Sequence, residues 1–159
     1  MGSIASACGQ PGRIVVARIG AGTDLIEGIE EICRRYDIKS GLILGLTGSL
    51  SGAKFTYIVP KEDSKLGAGK GVPYTLPGPL NILAAEGTIA RTERGEYYVH
   101  IHAALADQLD HVYGGHIFKP TTVLLTMEVA IMETAGISLM RRFYDETGSE
   151  QLSPEEERD

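Results

Sequence analysis

The sequence predicts an α+β domain: a mostly antiparallel, twisted sheet with one main helix packed on it. Three observations carry that expectation. Runs of β-branched and aromatic residues recur along most of the chain, separated by glycine-bearing turns. Only the stretch from Asp24 to Tyr36 repeats its apolar residues at helical spacing. At 159 residues, with 43% hydrophobic and 23% charged content, the chain can bury one core without a disulfide framework.

The elements follow in order. Residues 1–12 are expected to be a flexible tail, because they hold no basic segment leading into an apolar one, as a secretory signal would. Met1-Gly2-Ser3-Ile4-Ala5-Ser6 matches the loose myristoylation pattern, but an unstructured end explains it as readily. Residues 13–19 read as a first strand. Thr23 is expected to cap the helix, whose Leu25, Ile26, Ile29, Ile32, Cys33 and Tyr36 form one face. Asp24 and Glu27 in its first turn, and Arg34 and Arg35 in its last, suit the helix dipole.

Residues 41–50 form an apolar strand punctuated by glycines, with residues 54–59 as its expected partner. The Gly-, Pro- and Lys-rich segment 60–79 is too long for an ordinary connection, and predicts a mobile loop or a subunit-contact arm. Strands are expected at 80–91 and 97–105, joined by a hairpin turn at 92–96, and at 121–134 and 137–144, joined at Ala135-Gly136. The chain from residue 146 onward reads as disordered, with 153–159 a flexible acidic tail, which leaves 13–152 as the domain.

Charge narrows the function. Fifteen basic residues against twenty-one acidic ones leave a net charge of -6, which disfavours a duplex-DNA partner, since neutralising phosphates needs clustered Lys and Arg. No apolar run approaches the length of a membrane span. Cys8 and Cys33 lie in unlike surroundings and suggest no bridge, so a cytoplasmic setting is expected.

The chemistry concentrates in three histidines. Alternation through Tyr97-Tyr98-Val99-His100-Ile101-His102-Ala103-Ala104-Leu105 puts His100 and His102 on one face of a strand and Val99, Ile101, Ala103 and Leu105 on the other, core-facing side. Residues two apart on a strand stand roughly 7 Å apart, so two imidazoles can lean onto one ion. His116, in the glycine segment Gly114-Gly115-His116, is the expected third ligand, supplied from a turn. Neutral imidazoles suit Zn, Fe, Ni or Cu, and a three-histidine set with an open position is a catalytic pattern.

A general base would also be needed, and Glu128, Asp107 and Asp110 are the candidate carboxylates. Glu128 stands mid-strand among apolar residues, where a carboxylate needs a partner, either an Arg in a structural pair or a substrate. His111 is expected to face solvent. The loop Gly67-Ala68-Gly69-Lys70-Gly71 lacks the residues of a phosphate-binding loop, with Ser64 and Gly71 at the deciding positions. Arg34-Arg35 and Arg141-Arg142 read as solvated faces. No nucleophile with a neighbouring base stands out.

Six segments taken together resemble the plants-and-prokaryotes-conserved (PPC) domain, in its stand-alone prokaryotic form. They are Gly22-Thr23-Asp24-Leu25, Leu44-Gly45-Leu46-Thr47-Gly48-Ser49-Leu50, Glu86-Gly87-Thr88-Ile89, His100-Ile101-His102, Gly114-Gly115-His116-Ile117 and Thr126-Met127-Glu128-Val129. The resemblance covers roughly residues 13–152, and Asp145-Glu146-Thr147-Gly148 also looks like the family's ending. Asn81, Thr23 and Asp110 depart from the family pattern.

The resemblance implies a small α+β domain that assembles as a homotrimer, with His100, His102 and His116 able to hold a metal ion. Plant members carry Arg-Gly-Arg-Pro hooks for AT-rich DNA beside the domain; this sequence has none. The expectation is therefore a trimer that binds a divalent transition metal, zinc first with iron or nickel as options. It would act as a metal-dependent enzyme, by hydration, dehydration or hydrolysis, on a small oxygen-rich metabolite. The alternatives are a DNA-associated or regulatory module whose histidine site is structural, and a protein that binds a small anionic ligand without turnover.

Overall fold

A computed structural model describes residues 4–157. The chain runs β1 (Gln10–Gly20), α1 (Leu25–Tyr36), β2 (Gly41–Thr56), β3 (Ile58–Pro60), β4 (Ala68–Lys70), β5 (Tyr74–Thr92), β6 (Tyr97–Ala106), β7 (Val112–Ala135), β8 (Ile137–Tyr144) and β9 (Ser149–Glu156). The architecture is largely sheet, with one short helix, rather than a balance of the two. The main sheet is ordered β1-β7-β2-β5-β8-β9, and β6 pairs with both β5 and β7, so β2, β5, β6 and β7 close into a ring. Every pairing is antiparallel except β5 with β8.

Helix α1 covers one face of this sheet. It buries Leu25, Ile26, Ile29 and Cys33 against a core that includes Val15, Ile19, Phe55, Ile101, Leu105 and Met127. Burial pushes the Cys33 thiol up to about 12, which makes it an inert core residue. The cap is Asp24, one residue later than the sequence suggests: its carboxylate accepts from Glu27 N at 3.0 Å and from Thr121 N at 2.7 Å. Thr23 instead uses its backbone, its carbonyl accepting from Val123 N. One carboxylate thus caps the helix and ties it to β7, a role Thr's single short hydroxyl cannot fill.

Four other expectations give way. Residues 41–50 and 54–59 are not partners, because β2 runs unbroken from Gly41 to Thr56 and pairs with β5 on one side and β7 on the other. Segment 60–79 is not a loop throughout: β3 and β4 form a small hairpin arm, and Tyr74 already begins β5. The glycine segment before His116 is not a turn, since β7 starts at Val112 and pairs with β6 through it. The stretch after residue 146 holds β9, which pairs with β8 along its whole length, although its composition is that of a solvated tail. The first three and last two residues lie outside the described part, and with them Met1-Gly2-Ser3 of the lipidation pattern.

Candidate metal centre

Strand β6 alternates as its sequence dictates. Val99, Ile101, Ala103 and Leu105 are buried in the core, and His100 and His102 stand on the opposite face. Register then places the remaining partners. His102 lies directly across from His116 on β7 and from Glu86 on β5, while His116 faces Thr56 on β2 and His100 faces Thr88 on β5. The third histidine therefore comes from a neighbouring strand, held by backbone hydrogen bonds, rather than from a turn.

The three side chains converge. One ligand atom from each of His100, His102 and His116 lies within 4.8 Å of the others. The ring centroids are 5.0 Å apart for His100–His102, 4.6 Å for His100–His116 and 5.4 Å for His102–His116. His116 is buried, His100 half-buried and His102 exposed, so the cluster opens on the His102 side. Burial, reinforced by neighbouring positive charge, lowers His100 to about 4 and His116 to about 3. Both rings are neutral near pH 7, the form that binds a metal.

Two glycines beside the histidines, Gly115 on β7 and Gly87 on β5, explain themselves at this point. A Cβ on Gly115 would sit 2.4 Å from the Thr56 carbonyl oxygen, and one on Gly87 would sit 2.1 Å from the His100 carbonyl oxygen. Both contacts are with backbone, which cannot swing aside. Gly115→Ala should therefore force β7 away from β2 and carry His116 with it. The expected result is a loss of roughly 3 kcal/mol or more in urea unfolding, together with loss of metal uptake, at the upper end of single-substitution effects. Near-normal stability and metal content would show that the strands shift without cost.

The other sequence candidates separate. Asp107 organises the β6–β7 turn, accepting from Leu109 N, His111 N, His111 Nδ1 and Tyr113 Oη. His111 is exposed and paired there, and Asp110 occupies a left-handed turn position at φ 66°. Glu128 is exposed, in register with Arg18 and Thr47, and forms no ion pair among the described residues. Solvent on that sheet face removes the need for a partner. Glu128 lies on the same strand as His116, twelve residues further along β7 and beyond Pro120, and is not among the side chains that converge there. Within one chain it is not assembled with the histidines.

Sequence reasoning missed three charged neighbours. Glu86 shares the face and register of His102. Arg141, expected on a solvated face, is only 8% exposed and stacks on the Tyr98 ring at 4.5 Å. Lys70 reaches over the Phe118 ring at 5.3 Å, and Phe118 itself packs 4.5 Å from His116. Arg141 and Lys70 could not be paired with a histidine from spacing, because β8 and β4 are remote from β6 in sequence; Glu86 is one hairpin away, and the register through the turn at 92–96 puts it opposite His102. A shallow depression of about 530 Å³, lined by Leu44, Ala84, Glu86, His102 and Ala104, opens beside the cluster. The larger depression, about 820 Å³ between α1 and β1, contains none of the histidines.

The Plants and Prokaryotes Conserved domain, abbreviated PCC or PPC, matches residues 6–135. The chain belongs to this family. A metal-containing protein from Archaeoglobus fulgidus is 25% identical to this PCC domain, with a TM-score of 0.78 over 94% of this chain and 98% of that one. A protein from Ralstonia eutropha, named as a DNA-binding candidate, shares the fold at 22% identity and a TM-score of 0.71, over 87% and 89% of the two chains. The bifunctional protein GlmU of Synechococcus sp. strain JA-3-3Ab is 28% identical over 140 residues, which make up 88% of this chain and 20% of GlmU. The PCC domain thus spans about one fifth of that relative's length.

Proposed function

We propose that this PCC domain is a metal-dependent protein in which His100, His102 and His116 hold one divalent transition metal ion, zinc first and iron or nickel next. It would act on a small oxygen-rich metabolite by hydration, dehydration or hydrolysis. The observation that carries the reading is the convergence of three imidazole ligand atoms within 4.8 Å, two of them on rings kept neutral by burial. The donor set fits such an ion: three nitrogens and no thiolate leave a position free for a substrate, unlike a closed structural site. A bound ion would acidify water and polarise a carbonyl or carboxylate oxygen. Around it, His102 faces the opening, and Glu86, in register with His102, would be the carboxylate that accepts a proton in place of Glu128. Elemental analysis of untagged protein prepared without chelator tests the reading; protein that holds no metal and takes up none at neutral pH overturns it.

Assembly as a homotrimer belongs to the same proposal. One continuous row crosses the sheet from Ile14 through Met132, Leu42 and Thr88 to His100. Ile14, Val16 and Leu44, on that face, are 66%, 76% and 51% exposed. An apolar sheet face carrying these side chains is a surface for a second copy. Among the described residues, no helix is long and apolar enough to cross a membrane.

A DNA-associated or regulatory role is the second reading, favoured by the name of the Ralstonia relative. Charge opposes it. The net charge is -6, and Arg34 is already paired with Glu30 and Glu31. We expect no sequence-specific duplex binding at about physiological ionic strength, roughly 0.15 M. A defined footprint on AT-rich DNA at that salt, unaffected by His116→Ala, would put the regulatory reading first.

A further inference from the structure

Two cations flank the histidine cluster, and neither has a carboxylate partner among the described residues. Arg141 carries five N–H donors, yet one acceptor meets it, the Glu150 carbonyl oxygen, 2.6 Å from Nη2. Its Nε is buried without any acceptor. Lys70 forms no ion pair and lies over an aromatic ring instead. Its position is set by its neighbours: Gly71 N donates to the Tyr57 carbonyl at 2.9 Å, and Thr56 Oγ1 donates to the Gly71 carbonyl at 2.9 Å. The β3–β4 arm is thereby pinned with Lys70 beside Phe118 and the buried His116.

The two charges approach from opposite elements. Arg141 reaches in from β8 over Tyr98, whose ring centroid is 6.3 Å from that of His100. Lys70 reaches in from β4 over Phe118, next to His116. Lys70 is lowered by desolvation first and by Arg141 second, with Glu150 acting the other way, and both cations act on His100 and His116. Two cations beside the histidines, one of them the buried Arg141, repel one another unless an anion joins them. A divalent ion on the histidines would add to that repulsion. Glu150 offsets part of the charge on Lys70 from a distance, but no carboxylate is hydrogen-bonded to either cation among the described residues, which leaves their donors open to an outside anion.

We propose that Arg141 and Lys70 form an oxyanion-binding site beside the three histidines, and that the molecule taken there carries a carboxylate or phosphate group. This rests on the reading of the histidines as the reactive centre, and it narrows the substrate class to small anionic metabolites. Guanidinium and ammonium groups are the side chains that recognise such oxygens. The depression lined by Ala84, Ala104 and Leu44 leaves room for a short carbon skeleton on the His102 side.

Calorimetric titration of the full chain with inorganic phosphate and, separately, with succinate tests this, on both metal-free and metal-loaded protein. Wild type should bind one of the two with one site per chain, and whichever binds tells phosphate from carboxylate. Lys70→Met and Arg141→Met should each weaken that binding at least tenfold while metal content per chain, read by elemental analysis, stays unchanged. Lys70 is on an exposed arm, so its variant keeps the test decisive if the Arg141 variant fails to fold. Oxyanion binding by a protein that takes up no metal would sustain this site and overturn the histidine reading alone. Failure of wild type to bind either anion in both metal states, as when a second copy supplies the carboxylate, overturns the oxyanion site. So does binding that is unchanged in the Lys70 variant.

Discussion

Replacing His102 with alanine is expected to abolish metal loading while leaving the fold close to wild type, because the side chain is exposed and its ring neighbours are the other two histidines rather than the core. His116→Ala should abolish it as well, at an added cost of about 1–3 kcal/mol, since that ring is buried against Phe118. Elemental analysis and thermal melts of both variants separate the two effects. Metal that survives in both would mean that other ligands hold it. Because a metal bound to the folded state stabilises it by mass action, about 2.7 kcal/mol at a hundredfold excess over Kd, a chelator should lower the melting temperature of wild type and leave the His102 variant unmoved.

The same histidines set the direction of the metal-free protein's pH response. His100 and His116 have folded pKa values of about 4 and about 3, below the ordinary 6.5, so the unfolded chain binds more protons between those values. Their contribution to stability is full above about 6.5 and falls as pH drops through that window towards 3. His100→Ala should flatten the decline. A denaturation midpoint that does not fall between pH 6.5 and 4.5, or that falls equally in the variant, would contradict the assignment.

Assembly carries the other large effect. Light scattering should give three times the 17.1 kDa chain mass for wild type. Val16→Glu combined with Leu44→Glu should return it to a single chain mass, because two charges per copy would be buried without partners in any interface across this face. Both residues are more than half exposed in one chain, so the isolated fold should be nearly indifferent to the change. A wild-type monomer at micromolar concentration refutes the trimer. A variant that remains trimeric moves the interface elsewhere.

Local pattern by itself determined the strand character of β6, the core-facing set Val99, Ile101, Ala103 and Leu105, the histidine face, and a single amphipathic helix built on Leu25, Ile29 and Cys33. These follow from periods of two and of about 3.6, which need no knowledge of neighbours. Strand β9 was illegible because Ser149–Glu156 is polar; its order comes from backbone pairing with β8, which side-chain composition does not encode. The glycines before His116 look like a turn in isolation. They lie inside β7 instead, where Gly115 lets that strand approach β2 to within a bare backbone contact and Gly114 lies against β6. Tertiary structure alone decided that His116 lies across from His102, that Glu86 rather than Glu128 stands beside them, and that Arg141 and Lys70 close in from β8 and β4. Register between strands far apart in sequence depends on bulges and on closure of the β2-β5-β6-β7 ring, and those are global properties of the packed sheet.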